Sequence, residues 1–201
     1  LAFGRDGALY ITLGDRQKFT PAQDLSQSLG KIIRINPAGS LPKDNPRWKA
    51  IAALPEIYSL GHRNPQGAAV HPVTGALWIS EHGPQGGDEI NRIEAGKNYG
   101  WPLASYGCNY GEPVGEACRL GGGGHSPKFV EPLSIWTPVS IAPSGMLFYT
   151  GAMFPAWTNH ILMGALAGKA LWRIQYRGDK EVAREKMLSG LDERIRDVEQ
   201  G

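Results

Sequence analysis

Asp6-Gly7-Ala8-Leu9-Tyr10-Ile11 returns as Thr74-Gly75-Ala76-Leu77-Trp78-Ile79, and more loosely as Ser144-Gly145-Met146-Leu147-Phe148-Tyr149. The three glycines lie 68 and 70 residues apart. Each copy reads as a tight turn running into a short apolar strand. A short strand also precedes each turn, at residues 1–3, 68–70 and 139–141, so the unit is a hairpin. A third strand follows at 30–35, 89–93 and 168–174, where polar and apolar residues nearly alternate and one face is buried. A recurring sheet of a few short strands is the mark of a propeller blade. The period exceeds the ~40–50 residues of common blades. Insertions therefore belong between strands, at 42–54 and 106–129. The reading is an all-β chain, a partial β-propeller of about three blades over residues 1–201. A β-sandwich with similar hairpins is the alternative, and the near-constant spacing argues against it. Short helices are expected only at 46–54 and 181–188.

Composition agrees. The 201 residues include 27 glycines and 15 prolines. That is about a fifth of the chain, against roughly an eighth on average, and excludes a helical bundle. The 21 Lys and Arg nearly balance the 19 Asp and Glu, for a formal charge of +2. No electrostatic footprint for nucleic acid follows from that balance. Apolar runs such as 161–167 fall far short of the ~20 residues a membrane span needs. The two cysteines, Cys108 and Cys118, share one glycine-rich loop. They read as a disulfide of a periplasmic or secreted protein, with two free thiols as the alternative. The chain opens directly on a strand and stops without a capping element. It is read as a fragment, with blades missing on both sides.

Three polar segments stand out as chemistry. Gly61-His62-Arg63-Asn64-Pro65-Gln66-Gly67 packs a guanidinium, an amide and an imidazole among glycines and a proline. Arg63 offers a planar fork of donors to carboxylate or quinone oxygens, and Asn64 before Pro65 is biased to extended backbone. A structural turn with a surface arginine is the competing account. In the 80–91 segment, Gly83, Pro84 and the later glycines free main-chain carbonyls, while Asp88 and Glu89 add carboxylates. Such hard oxygen donors suit calcium, though the spacing is not that of an EF-hand, and a solvated acidic turn is the alternative. His82 by itself reads as a hydrogen-bonded loop residue. Arg194 and Arg196 lie two apart, on one face of an extended chain. They call for a polyanion between them or for pairing with Glu193 and Asp197. No G-x-S-x-G, P-loop or dinucleotide fingerprint is present, which disfavours a triad hydrolase and a nicotinamide enzyme.

Read in order, residues 9–16 (LYITLGDR), 22–37 (AQDLSQSLGKIIRINP), 61–67 (GHRNPQG), 79–102 (ISEHGPQGGDEINRIEAGKNYGWP), 141–149 (IAPSGMLFY) and 193–201 (ERIRDVEQG) resemble the soluble quinoprotein glucose/sorbosone dehydrogenase family. The bacterial aldose sugar dehydrogenases are the nearest branch. The resemblance implies a six-bladed β-propeller that uses pyrroloquinoline quinone and calcium to oxidise aldose sugars at the anomeric carbon to lactones. It implies that Arg63 and Asn64 contact the quinone, that Arg194 and Arg196 hold its carboxylates, and that His82 faces it. The carbonyls of Gly83 and Pro84 would bind the calcium beside the quinone. Glu89 and Tyr99 would bind a second, structural calcium. The family's base histidine falls before Leu1, so no catalytic residue is assigned, and residues 1–201 alone are expected to be inactive. A cofactor-binding lysine of the family falls at Ala167; Lys169, two positions on, restores the same face if the segment is a strand. The electron acceptor is left open. The rival from another class is a non-catalytic propeller used for binding or adhesion, which has no reason to combine the arginines with a calcium loop.

Overall fold

The computed structural model describes residues 1–201. Twelve strands and four single-turn 3-10 segments make up its regular structure, with no α-helix. The first sheet holds β1 (Ala2–Phe3), β2 (Leu9–Leu13), β3 (Lys31–Ile35) and β4 (Ile57–Leu60). The second holds β5 (Pro65–Val70), β6 (Leu77–Glu81), β7 (Asp88–Arg92) and β8 (Ser134–Trp136). The third holds β9 (Pro143–Phe148), β10 (Ile161–Ala165), β11 (Ala170–Arg177) and β12 (Lys180–Met187). Each sheet is an antiparallel meander in chain order, so three successive blades of a β-propeller are present.

The first two copies of the repeat fold as read. Gly7 and Gly75 sit at φ 78° and 75° in the β1–β2 and β5–β6 turns. The Ala8 and Ala76 amides donate to the Asp6 and Thr74 side chains at 3.0 and 3.3 Å. The third copy is not a hairpin, because Ser144-Gly145 lies inside β9. Its true counterpart is Pro65-Gln66-Gly67 at the start of β5. A side chain at Gly67 would strike the Ser144 carbonyl, and one at Gly145 would strike Asp197. These glycines therefore admit the chain of the next blade rather than make a turn.

Both expected helices are absent. Residues 46–54 form turns in the β3–β4 insertion, where the Trp48 indole donates to the Ile57 carbonyl at 2.9 Å. Residues 181–188 fall largely in β12, which pairs with β11 from Arg177–Lys180 to Leu171–Met187. This segment lacks an apolar stripe at helical spacing, so cross-strand pairing decides its form. Its charged residues lie on an outer strand, where they oppose further edge pairing.

The core lies between sheets. Tyr10, Ile32, Leu77, Ile79, Ile93 and Tyr99 are buried between the first and second blades. Trp78, Ile90, Trp136, Met146, Phe148, Ile161 and Met163 are buried between the second and third. Three of the six tryptophans, Trp78, Trp101 and Trp136, are buried.

Two histidines outside the site make stability pH-dependent. His71 Nδ1 accepts from the amides of Val73 and Thr74 at 3.1 and 3.2 Å, and His160 Nδ1 accepts from Arg173 at 3.1 Å. Burial, then the charge of Arg5 or Arg173, pushes both imidazoles below their ordinary value. The unfolded chain therefore takes up protons below about pH 6.5 that the folded state refuses. Stability is full above that pH and falls as pH drops through the depressed values. The urea midpoint should be lower at pH 5 than at pH 7, and replacing both histidines by Gln should reduce the difference, the remainder coming from His82 and His125, which burial shifts the same way.

Candidate functional site

The Arg63 loop joins β4 of the first blade to β5 of the second, so it crosses from sheet to sheet at one end of the propeller. Its main chain is fixed on both sides. The Asp15 amide donates to the Arg63 carbonyl at 2.8 Å, and the Arg63 amide donates to Glu81 Oε2 at 3.0 Å. The guanidinium lies between two aromatic rings, Trp101 at 5.3 Å and Tyr110 at 5.7 Å. It donates to the His82 carbonyl at 3.3 Å and to the Tyr110 hydroxyl at 3.1 Å, and meets no carboxylate.

A cavity of about 740 Å³ opens beside it, lined by Arg63, Asn64, Gln66, His82, Tyr110 and the 12–17 segment. A chain of hydrogen bonds crosses this wall. Arg196 donates to Gln66 Oε1 at 3.2 Å, and Gln66 donates to Asn64 Oδ1 at 2.9 Å. The Asn64 amide then donates to His82 Nδ1 at 3.3 Å, while His82 Nε2 donates to the Pro143 carbonyl at 2.7 Å. That assignment fixes His82 as a neutral tautomer, and burial pushes its imidazole below the ordinary value. Arg63, Asn64, His82 and Arg196 are thus brought together. Arg194 is exposed and pairs with nothing in the chain; neither it nor Arg196 pairs with Glu193 or Asp197.

His62 belongs to a different network. It is 0 % exposed, with Nε2 2.8 Å from Ser59 Oγ and Nδ1 3.2 Å from Glu81 Oε1, and it stacks on Tyr99. Both nitrogens are engaged away from the cavity.

The 83–89 segment turns beneath the Arg63 loop. The carbonyls of Gly83 and Pro84 accept no hydrogen bond from the chain and are free oxygen donors. Asp88, read from sequence as a further ligand, is not available. Its oxygens accept from the Gly83, Ile141 and Ala142 amides and from the Ser140 hydroxyl at 2.6–2.9 Å.

Glu89 is free of that duty. It lines a cavity of about 10 Å³, room for a single small occupant, together with Glu81, Tyr99, Ser105 and His125. Burial, then the charge of Glu81, pushes the Glu89 carboxyl well above the ordinary range. Burial acts the same way on Glu81, but His62 and the donated hydrogen bonds outweigh it and hold that carboxyl low. Asn91 donates to both, at 2.9 and 3.0 Å, while its own Oδ1 has no hydrogen-bond partner and His125 Nε2, likewise without a hydrogen bond, lies 3.7 Å from Glu89 Oε1. The Tyr99 phenol donates to the Arg92 carbonyl and accepts from the Glu94 amide, so only its main-chain carbonyl is free. No group of three or more His, Cys, Asp or Glu side chains is arranged for a metal, so a cation shell here would draw on carbonyls and water as well as carboxylate.

Other expectations divide. Cys108 and Cys118 form a disulfide, with Cα atoms 5.1 Å apart. Lys169 does not take the place left by Ala167. The 166–169 segment is a turn between β10 and β11, so strand alternation does not apply, and Lys169 pairs with Asp192 at 3.0 Å. The sequence reading also missed Asp15, which accepts from Trp101 Nε1 at 2.7 Å and so supports the ring beneath Arg63. Arg16, Gln17 and Phe19 next to it all take positive φ, 57°, 58° and 61°. Left-handed backbone at non-glycine residues concentrates at functional loops, but no local residue pattern announces it.

A match to the family described as Glucose / Sorbosone dehydrogenase covers residues 1–201. The chain is 43% identical over 203 residues to the Aldose sugar dehydrogenase YliI of Escherichia coli (strain K12), covering 100% of this chain and 53% of that relative. The crystal structure of the soluble aldose sugar dehydrogenase from Escherichia coli in the apo-form superposes with a TM-score of 0.90 at 40% identity, over 100% of this chain and 57% of that one. The PQQ-bound form of aldose sugar dehydrogenase from Streptomyces coelicolor superposes with a TM-score of 0.75 at 31% identity, over 98% of this chain and 50% of that one. The chain spans about half the length of the relatives it matches. Sequence and blade geometry agree from the first residue to the last, and the chain belongs to the glucose/sorbosone dehydrogenase family.

Proposed function

We propose that the protein is a quinoprotein sugar dehydrogenase that oxidises aldoses at the anomeric carbon to lactones, with pyrroloquinoline quinone and calcium. The observation that carries this reading is the Arg63 guanidinium, which borders the large cavity without a carboxylate partner and also borders the two smaller cavities lined by Gly83 and by Pro84, whose carbonyls accept no hydrogen bond. Unpaired guanidiniums suit a quinone bearing carboxylates. Free carbonyls suit a hard cation. The residues present therefore fit both groups. Arg63, Asn64 and His82 would hold the quinone from one side, with Arg194 and Arg196 on its carboxylates. Gly83 and Pro84 would hold the calcium beside it. The Glu89 carboxyl and the Tyr99 carbonyl would hold a second calcium, for which the unpaired Asn91 Oδ1 in the same buried cluster is supporting evidence.

When bound, these groups supply a hydride acceptor for the sugar's C1 hydrogen and a Lewis acid for the developing oxyanion. Arg63, which borders the cavity without a carboxylate partner, would present its charge to the bound quinone. Asn64 and His82 keep the wall rigid through the bonds described above. Proton abstraction is assigned to neither His62 nor His82, since both nitrogens of each are committed. The Cys108–Cys118 bond supports an oxidising compartment, periplasmic or secreted. No helix is long and apolar enough to cross a membrane.

Titrating the quinone into chelator-treated protein tests the reading. Saturable binding should appear with added calcium, vanish with chelator and return with calcium but not magnesium. Equal binding with and without calcium would overturn it.

A further inference from the structure

One wall of the cavity is assigned by neither the repeat nor the resemblance. It is the loop closed by Cys108 and Cys118, which carries Tyr110 over the entrance. Tyr110 lines both the cavity of about 740 Å³ and an adjoining one of about 290 Å³. Its hydroxyl and ring both meet Arg63, opposite Trp101. The contrast with Arg34 is informative. Arg34 is paired with Asp6 and Asp44, which neutralise it. Arg63 is held by two π faces, a phenol and a carbonyl, so it is aimed but keeps its full charge for an incoming anion.

Burial does not hold Tyr110 in place, since it is 67 % exposed. The loop does. The Gln85 main chain exchanges bonds with that of Cys108 at 3.0 and 3.1 Å. The Gln85 side chain donates to the Glu112 carbonyl at 2.9 Å and accepts from the Gly111 amide at 3.1 Å. Gln85 follows directly on Gly83 and Pro84, so the loop with Tyr110 is fastened to the loop with the free carbonyls.

We infer that Tyr110 is a positioning residue: with Trp101 it clamps the unneutralised Arg63 guanidinium toward the cavity, and the Cys108–Cys118 bond keeps it there. The inference rests on the quinone reading of this cavity. Quinone affinity in the presence of calcium should fall about 10- to 100-fold in Tyr110→Ala, which removes the ring and the hydrogen bond. Tyr110→Phe keeps the ring and should lose only about 3- to 5-fold. Cys108→Ser with Cys118→Ser should approach Tyr110→Ala. Because Tyr110 is exposed, the unfolding midpoint of its two variants should not move, which separates positioning from folding.

Fluorescence titration of pyrroloquinoline quinone into the calcium-loaded protein reads these effects. The Arg63 Nε–H NMR resonance, identified by its loss in Arg63→Lys, gives a readout without quinone. It should shift in Tyr110→Ala and in the double-serine variant, and stay in place in Tyr110→Phe. Unchanged quinone affinity in Tyr110→Ala, or no rescue by Tyr110→Phe, overturns the clamp. Unchanged affinity in the double-serine variant overturns the role of the disulfide. A wild type that binds no quinone overturns the functional reading instead, and the Arg63 resonance alone then decides the clamp.

Discussion

Asp88→Ala should cost about 4 kcal/mol of stability, because it leaves several buried donors unpaired at ~1–3 kcal/mol each. Asp88 is 0 % exposed at the start of β7, and it takes hydrogen bonds from two directions. Oδ1 accepts from the Gly83 amide at 2.9 Å. Oδ2 accepts from Ser140 Oγ, the Ile141 amide and the Ala142 amide at 2.6, 2.7 and 2.8 Å. One carboxylate thereby ties the loop with the free carbonyls, on the second blade, to the segment entering the third. Water admitted by the deletion would satisfy some of the four donors, which keeps the loss below their full sum. For a chain of this size, such a loss lowers the melting temperature by about 8–16 °C. Asp88→Asn keeps one acceptor but turns an amide toward N–H donors, and should cost about half as much. Denaturant unfolding of the three proteins at pH 7 makes the comparison. A loss under 1 kcal/mol in Asp88→Ala would mean that the three amides find other partners and that the two blades are not latched here.

Asp88 also marks the boundary of what the sequence can say. A carboxylate directly after paired glycines reads as a possible metal ligand, and only the fold reveals that Ser140, Ile141 and Ala142, more than fifty positions away, consume it. The legible features are those whose cause is local. Asp6-Gly7 and Thr74-Gly75 announce their turns through the side chain and backbone of the turn itself. The Arg63 loop announces a site through the density of polar groups around glycine and proline. Gly145 misled because a glycine serves two purposes, and its cause is the chain at Asp197 pressing on β9 rather than its own backbone. The supports of Arg63 were hidden for the same reason. Trp101 reaches Asp15 across 86 positions, and Tyr110 reaches Arg63 across 47. Blade-to-blade packing makes those pairs, and a window of ten residues contains neither partner.

Glu81→Ala should be about as damaging to folding as Asp88→Ala and more damaging to function. Glu81 closes β6, is buried, and divides its two oxygens among three groups. Oε1 meets His62 Nδ1 at 3.2 Å and accepts from Asn91 Nδ2 at 2.9 Å, while Oε2 accepts from the Arg63 amide at 3.0 Å. Breaking a buried, hydrogen-bonded pair by removing one partner costs ~3–5 kcal/mol. His62, which also bonds Ser59, is left without its acidic partner in a site that water does not reach. The functional loss has a separate origin. Arg63 is held at three places: Glu81 on its amide, Asp15 on its carbonyl, and Trp101, Tyr110 and the His82 carbonyl on its guanidinium. Tyr110→Ala loosens only the third. Glu81→Ala releases the first, which moves the backbone and carries the guanidinium and the neighbouring Asn64 with it. Quinone affinity should therefore fall further in Glu81→Ala than in Tyr110→Ala, and Glu81→Gln, which keeps an acceptor for the Arg63 amide, should recover most of it. Unfolding free energies and quinone titrations on the same three variants separate the two effects. If Glu81→Gln lost affinity as fully as Glu81→Ala while folding normally, the charge of Glu81, and not its grip on the Arg63 amide, would be what the cavity requires.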